Sequence, residues 1–106
     1  MATETGNIGV ATPAKQATVN ATNYLNKDSG EAIERECRLM LQDGVDELIL
    51  NFAETELVNS VGVSILLGII DSAAVKGARV KFSDVRQDTV ELFEMLGVSK
   101  HVAINA

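Results

Sequence analysis

The chain has 106 residues, which is enough for one small domain but not for two. Its 9 basic and 15 acidic residues give a net charge of −6, which disfavours nucleic acid as a partner because the phosphate backbone is also negative. A single cysteine, Cys37, and a single histidine, His101, exclude an internal disulfide and the metal sites that need several such ligands. We therefore expect no catalytic residue, no metal site and no enzyme activity.

The N-terminus has no positively charged segment followed by an apolar run, so it does not resemble a signal peptide. The longest apolar stretch, residues 57–74, is interrupted by polar residues and glycines and falls short of the roughly 20 apolar residues that span a bilayer. With a free thiol in addition, these features predict a cytoplasmic protein without direct membrane insertion. We expect a flexible tail at residues 1–6 and a single domain at residues 7–106.

Three strands are predicted in the first half of the chain, at residues 8–11, 15–21 and 47–52. The first is a short apolar run ended by Pro13, and the second alternates apolar and polar residues. The third is mostly apolar, which is typical of a central strand buried on both faces. The first two strands have no helix between them, which predicts a mixed rather than a fully parallel sheet. A turn is expected at residues 20–28.

Three helices are predicted, each followed by a glycine and then by a strand. The first is expected to begin at an Asp28 cap, with Glu31 as its capping-box partner, and to end at Gly44 in a left-handed conformation. The second is expected at residues 60–76 and the third at residues 88–96, with strands at 79–83 and 102–104. This alternation predicts a small single-domain α/β fold with a mixed sheet of about four to five strands.

Ser60 lies where a buried strand and a short loop lead into the long apolar second helix. The sequence there is Asn59-Ser60-Val61-Gly62, which places Ser60 at or beside the helix N-cap. A phosphate on this serine would add a charge of about −1.5 to −2 close to the positive end of the helix dipole. Taken alone, the residues allow two interpretations: a plain helix cap, or a phosphorylation switch.

The ordered set of these segments resembles the STAS domain of bacterial anti-sigma factor antagonists. The set consists of the strand ELILNF, the N-S-x-G segment, the apolar helix, KGARVKF and FEMLGV, and the resemblance covers nearly the whole chain. The family has a D-S-S-G-type motif at the start of a helix, and a partner kinase phosphorylates its first serine. The resemblance therefore implies a STAS-like fold, with Ser60 as the phosphorylated serine and Gly62 as the motif glycine.

The chain departs from the family pattern at three positions. Asn59 stands where the family has an aspartate, and Val61 replaces the second serine of the motif. Asn26 matches another position that is acidic in the family. The loss of two acids near Ser60 eases the addition of a phosphate, but it also removes groups that could orient the hydroxyl or a kinase-bound metal.

The second helix has two faces on a helical wheel. Its sheet-facing side is predicted to contain Gly62, Ile65, Leu66, Ile69, Ile70 and Ala73. The opposite side carries a stripe of small residues, Ser64, Gly68 and Ser72, flanked by Val61, Leu67, Asp71 and Val75. A glycine inside a helix costs about 1 kcal/mol relative to alanine, so Gly68 indicates close approach of a partner or of a neighbouring loop in the same domain. A second copy of this chain is another occupant that the stripe allows.

The candidate partner-binding residues are Asn26, Glu56, Ser64, Leu67, Gly68 and Asp71. Glu54 and Glu56 border the motif and could select a basic patch on a partner, although ordinary loop solubility is the safer interpretation. Cys37 lies on the apolar face of the first helix and is expected to be a small buried side chain. A hydrolase pair of Ser60 and His101 would need an acid partner and an oxyanion hole that the sequence does not indicate.

The resemblance implies a function in transcriptional control. The unmodified protein would bind an anti-sigma factor with serine kinase activity and so release a sigma factor. Phosphorylation of Ser60 would end that binding, and a phosphatase would restore it. ATP and Mg²⁺ would belong to the kinase, so no cofactor is expected in this chain. The alternative is a non-switching STAS subunit of a larger assembly, either a lipid-transport ATPase complex or a stress-sensing complex.

Overall fold

The computed structural model describes residues 15–106, so the strand predicted at residues 8–11 and the tail predicted at residues 1–6 lie outside the described residues. The described elements, in chain order, are β1 (Gln16–Asn20), β2 (Tyr24–Leu25), α1 (Lys27–Gln42), β3 (Glu47–Asn51), β4 (Leu57–Val58), α2 (Ser60–Val75), β5 (Arg79–Ser83), α3 (Gln87–Met95), a 3-10 turn (Val98–Lys100) and β6 (Ala103–Ile104). The helices and longer strands lie within one or two residues of their predicted positions.

The larger sheet has the strand order β1-β3-β5-β6, and β2 and β4 form a second, two-stranded sheet. Each neighbouring strand in the larger sheet is joined to the next through a helix, and such crossovers are almost always right-handed. The three helices therefore lie on one face of the sheet. The predicted α/β class is confirmed. Every pairing among the described strands is parallel, and the predicted mixed order depended on residues 8–11, which are not described.

The core lies between the larger sheet and the three helices. Leu48, Leu50 and Phe82 of the central strands are fully buried. The ring of Phe82 lies 4.9 Å from that of Phe52 and 5.5 Å from that of Phe93, measured between centroids. These tilted and edge-on contacts are favourable for aromatic pairs, and they join α3 to the ends of β3 and β5.

The buried face of α2 differs from its predicted face at three positions. Val63 is buried although it was not predicted to be, whereas Ile65 and Ile70 are only half-buried. The reason is that α2 packs against α1 as well as the sheet. A Cβ placed on Gly30 of α1 would lie 2.8 Å from the Cδ1 atom of Ile65, which shows how closely the two helices approach.

The start of α1 also differs from the prediction. The helix begins at Lys27 and its cap is Asn26, not Asp28, while Ser29 takes the capping-box position expected for Glu31. The expected left-handed residue after α1 is present, since Gly44 has a φ of 86°. The helix therefore begins two residues earlier than predicted and ends as predicted.

Candidate protein-interaction site

The β2–β4 ladder brings the starts of α1 and α2 together. Tyr24 pairs with Leu57 and Leu25 pairs with Val58, in parallel register. The backbone N–H of Asn59 continues the ladder by donating to the Leu25 carbonyl oxygen at 3.0 Å. The next positions in register are Asn26 and Asn59, the residues that precede the two helices. Two helix N-termini therefore begin side by side at this edge of the domain.

Both asparagines are helix caps. The side-chain oxygen of Asn26 accepts a hydrogen bond from the backbone N–H of Ser29 at 3.0 Å. In return, the Ser29 hydroxyl oxygen accepts a hydrogen bond from the backbone N–H of Asn26 at 3.0 Å. The side-chain oxygen of Asn59 accepts from the Gly62 amide at 2.8 Å, and its Nδ2 atom lies 3.4 Å from the Tyr24 hydroxyl. An asparagine side-chain oxygen caps a helix as well as an aspartate does, so these amides preserve the local structure.

Ser60 is the first residue of α2 and is exposed. Because Asn59 provides the cap, the Ser60 hydroxyl is not used for capping, and it makes no hydrogen bond with any residue from 15 to 106. The Gly62 amide is satisfied by Asn59, whereas the amides of Ser60 and Val61 find no acceptor in the described part of the chain. Among residues 15–106 the helix therefore begins with a hydroxyl and two N–H groups that have no hydrogen-bond partner.

Three large apolar side chains around Ser60 are exposed to solvent. Tyr24 is 42% exposed, Leu57 63% and Val61 44%. We call these three residues and Ser60 the Ser60 surface. Exposed apolar groups that are clustered rather than scattered are typical of a surface that binds another protein. Glu54 and Glu56, both exposed, lie in the loop that leads to this surface.

The predicted partner-binding residues do not form one cluster. Asn26, Glu56 and Ser64 lie near Ser60, with Asn26 half-buried by its capping role and Ser64 one helical turn from Ser60. Leu67, Gly68 and Asp71 instead line a shallow depression together with His101. At 1.5 Å per residue, this second group begins about 10 Å further along α2.

Gly68 has open space beside it. A Cβ at this position would meet only the Oε2 atom of Glu34 in α1, at 3.9 Å, so no loop of the described chain packs against it. His101 lies beside Leu67 and Asp71, about two turns of helix or more from Ser60, and the two residues do not form a hydrolase pair.

Cys37 is buried in the core, as predicted. Desolvation by burial, aided by the nearby carboxylates of Glu36 and Glu34, raises the pKa of its thiol to about 12. A thiol in this state is not a nucleophile at neutral pH. Across residues 15–106 no group of three or more His, Cys, Asp or Glu side chains could hold a metal ion, and no helix is long and apolar enough to cross a membrane.

Comparison with known proteins identifies the family. The model of the STAS domain matches residues 1–106, the whole chain. The chain belongs to the STAS domain family. The family resemblance seen in the sequence is confirmed. Comparison with curated protein sequences gives no match.

Solved structures similar to this STAS domain come from regulators and from transporters. The anti-sigma factor antagonist SpoIIAA in its unphosphorylated form has 17% identity and a TM-score of 0.64, covering 81% of this chain and 79% of its own. The Bacillus cell fate determinant SpoIIAA in the phosphorylated form has 16% identity and a TM-score of 0.67, covering 92% and 88%. The STAS domain of a SulP transporter from Vibrio cholerae has 19% identity and a TM-score of 0.74, covering 91% and 77%. At these identities the likeness establishes a shared fold.

The sequence indicates Ser60 as a candidate site, but it does not indicate Tyr24 and Leu57 beside it. It predicts a turn at Tyr24 and a loop at Leu57, whereas each residue belongs to a strand of only two residues. A two-residue strand is too short for hydrophobic alternation to be detected. The one available signal was the presence of large apolar residues in otherwise polar segments.

Proposed function

We propose that this STAS domain is an anti-sigma factor antagonist that binds its anti-sigma factor through the Ser60 surface. Phosphorylation of Ser60 by the serine kinase activity of that partner ends the binding. The observation that carries the proposal is the environment of Ser60. Its hydroxyl is exposed at a helix start, makes no hydrogen bond within the described part of the chain, and lies beside Tyr24, Leu57 and Val61.

The same position explains how a phosphate could act as a switch without unfolding the domain. In the free protein, the amides of Ser60 and Val61 and the helix dipole would stabilise the added negative charge. In the complex, the phosphate would be pressed between the partner and the apolar side chains of Leu57 and Val61. Burial of a charge of about −1.5 to −2 without a compensating cation is strongly unfavourable, so the complex would dissociate.

The chain itself supplies only the acceptor. The Ser60 oxygen would form a bond to the γ-phosphorus of ATP, the bond to ADP would break, and the hydroxyl proton would pass to a base of the kinase. Because Asn59 and Asn26 are uncharged, no carboxylate at either cap position repels the incoming phosphate. A phosphatase would hydrolyse the phosphate ester and restore the binding-competent form.

The first experiment measures phosphorylation. The full chain is incubated with its cognate kinase and ATP, and its intact mass is determined. Wild type and Ser72→Ala should each gain one phosphate, whereas Ser60→Ala should gain none. Ser72 is a matched control because it is an exposed serine of the same helix, about three turns from Ser60 and outside the candidate partner-binding residues. Equal phosphorylation of wild type and Ser60→Ala would overturn the assignment of Ser60.

The second experiment identifies the partner. Tagged wild type and tagged Ser60→Glu are used to capture proteins from the source cells. The proposal predicts that wild type recovers an anti-sigma factor with a kinase domain and that Ser60→Glu loses it. Recovery of a transporter ATPase or of a stress-sensing complex with both proteins would instead identify a non-switching subunit, and the proposal would be rejected.

A further inference from the structure

The end of α3 exposes two large apolar side chains. Met95, the last residue of the helix, is 81% exposed, and Leu96, which follows it as the C-cap, is 50% exposed. Phe93, two residues before Met95, is fully buried and packs against the rings of Phe52 and Phe82. Because Phe93 anchors α3 to the core, the helix holds Met95 and Leu96 at the surface in a fixed position.

Carboxylates lie beside these apolar side chains. Glu91 and Glu94 are exposed, and α3 contains no basic residue. Glu91 and the half-buried Leu92 lie one helical turn before Met95, which places Met95 at the boundary between an acidic and an apolar side of the helix. Leu96 lies one turn after Leu92 and extends the apolar side. We call these five residues, Glu91, Leu92, Glu94, Met95 and Leu96, the α3 surface.

The two carboxylates do not stabilise the helix that carries them. The C-terminal end of a helix has a partial negative charge, so the carboxylate of Glu94 in the last turn is unfavourable there. Neither Glu91 nor Glu94 makes an ion pair within the described part of the chain. Arg86 is paired with Asp88 at the other end of α3, with 3.6 Å between Nε and Oδ1. A cation from outside the described chain would compensate this negative charge.

The α3 surface and the Ser60 surface lie at opposite edges of the larger sheet. α2 follows β3 and α3 follows β5, and these two strands are parallel neighbours. Both helices therefore begin at one edge of the sheet and run back to the other. Ser60 is the first residue of α2, whereas Met95 is the last residue of α3. A protein bound at the α3 surface would therefore leave Ser60 accessible.

We propose that the α3 surface binds an amphipathic helix of a partner protein, with lysine or arginine on one side and apolar residues beside them. Its cations pair with Glu91 and Glu94, and its apolar side chains pack on Met95 and Leu96. Charge complementarity selects this occupant. A second copy of this chain, with its net charge of −6, and an anionic lipid surface are both disfavoured. Apolar residues that are merely scattered on a surface are ordinary, and that interpretation predicts no binding.

The test titrates the ¹⁵N-labelled full chain with a capped peptide of about 14 residues, or four helical turns, built from Lys and Leu with the leucines on one side of the helix. The amide signals of residues 91–97 should shift, and those of Ser60 and Val61 should not. A peptide with Glu in place of Lys, and one with the same Lys and Leu content in scrambled order, should leave all of these signals unchanged. Absence of shifts, equal shifts with the scrambled peptide, or shifts centred on Ser60 would overturn the proposal.

Three variants separate the α3 surface from general electrostatics. Glu94→Lys should weaken binding of the Lys–Leu peptide about tenfold, because an attractive contact becomes a repulsive one. The same change should raise the thermal unfolding temperature, since a cation suits the C-terminal end of a helix. Met95→Ser should weaken binding about fivefold by removing apolar contact area, and it should leave the unfolding temperature unchanged because the side chain is 81% exposed. Glu36→Lys makes the charge change of Glu94→Lys on the exposed surface of α1 and should keep the affinity within about twofold of wild type.

Two outcomes of these measurements would contradict the proposal. An equal loss of affinity in Glu94→Lys and Glu36→Lys would mean that the peptide responds to the net charge of the chain and not to the α3 surface. Sedimentation of the chain alone should show a monomer. A dimer that Met95→Ser converts to monomer would make a second copy of this chain the occupant instead.

Discussion

Gly62 and Leu25 lie so close together that a Cβ on Gly62 would be 2.6 Å from the Leu25 carbonyl oxygen. The obstacle is backbone, so no change of rotamer could relieve it. The same carbonyl oxygen accepts the Asn59 amide at 3.0 Å, which fixes β2 against the start of α2. The motif glycine therefore has a structural role: it allows the helix that begins at Ser60 to sit directly beside Tyr24 and Leu25.

Gly62→Ala should destabilise the domain. Overpacking against a neighbour that cannot move costs typically about 1–3 kcal/mol, and the helix preference of alanine over glycine offsets roughly 1 kcal/mol of it, so the net loss should be up to about 2 kcal/mol. Urea unfolding followed by circular dichroism measures the change in the free energy of unfolding. Because the carbonyl also belongs to the β2–β4 ladder, signals of Tyr24 and Leu57 should shift in the variant.

Gly68→Ala is the matched control on the same helix. The added Cβ would make only an ordinary contact, 3.9 Å from Glu34 Oε2. The full preference of alanine over glycine inside a helix should therefore add to the stability of the domain. The free energy of unfolding should rise by up to about 1 kcal/mol. If the two substitutions changed stability in the same direction, the backbone contact at Gly62 would not be the cause.

The sequence predicted the helices and the long strands because each carries enough residues for a periodic pattern. It did not predict the β2–β4 ladder, which joins two-residue strands that are 33 positions apart at Tyr24 and Leu57. This pairing depends on where α1 and α2 pack, not on local preference. The misplaced cap follows from the same cause: the ladder fixes Leu25, so the chain enters α1 at Asn26, before Asp28 is reached.

Of the candidate site, the sequence indicates the local motif but not the residues that strand pairing brings beside it. Ser60 and Gly62 could be found because they lie in a local motif next to a strongly apolar helix. The apolar residues Tyr24 and Leu57 come beside Ser60 only through the ladder. Strand pairing of this kind is not specified by a single sequence for such short segments.

Asn59→Ala should cost about 1 kcal/mol in the free energy of unfolding, since the Gly62 amide would lose its acceptor. Asn59→Asp retains a side-chain oxygen at the cap and adds a negative charge at the positive end of the helix dipole. It should therefore be at least as stable as wild type in urea unfolding. A stable Asn59→Ala variant would show that the cap contributes little to the domain.

Ser60→Glu should separate folding from binding. The side chain is exposed and makes no hydrogen bond with the described residues, so its replacement breaks no contact that holds the domain together. A carboxylate in the first turn of a helix stabilises it by about 0.3–1 kcal/mol. Thermal unfolding should be unchanged or slightly raised, while binding of the anti-sigma factor should be lost. If Ser60→Glu unfolded at a clearly lower temperature than wild type, the loss of binding would be explained by a damaged fold and not by the added charge.

The pH dependence of stability should carry a contribution from Cys37. Its ordinary pKa of 9.0 is raised to about 12 by burial and by Glu36 and Glu34, so above pH 9 the unfolded chain releases a proton that the folded chain retains. The contribution is fully present below pH 9.0 and is lost as the pH rises from 9.0 towards about 12. Cys37→Ala lacks this group but keeps every other titrating residue. The difference in unfolding free energy between wild type and Cys37→Ala should therefore be constant below pH 9.0. Above pH 9.0 the wild type should lose stability steadily relative to Cys37→Ala. A difference that stays flat across the whole range would mean that the thiol ionises as readily in the folded state as in the unfolded state.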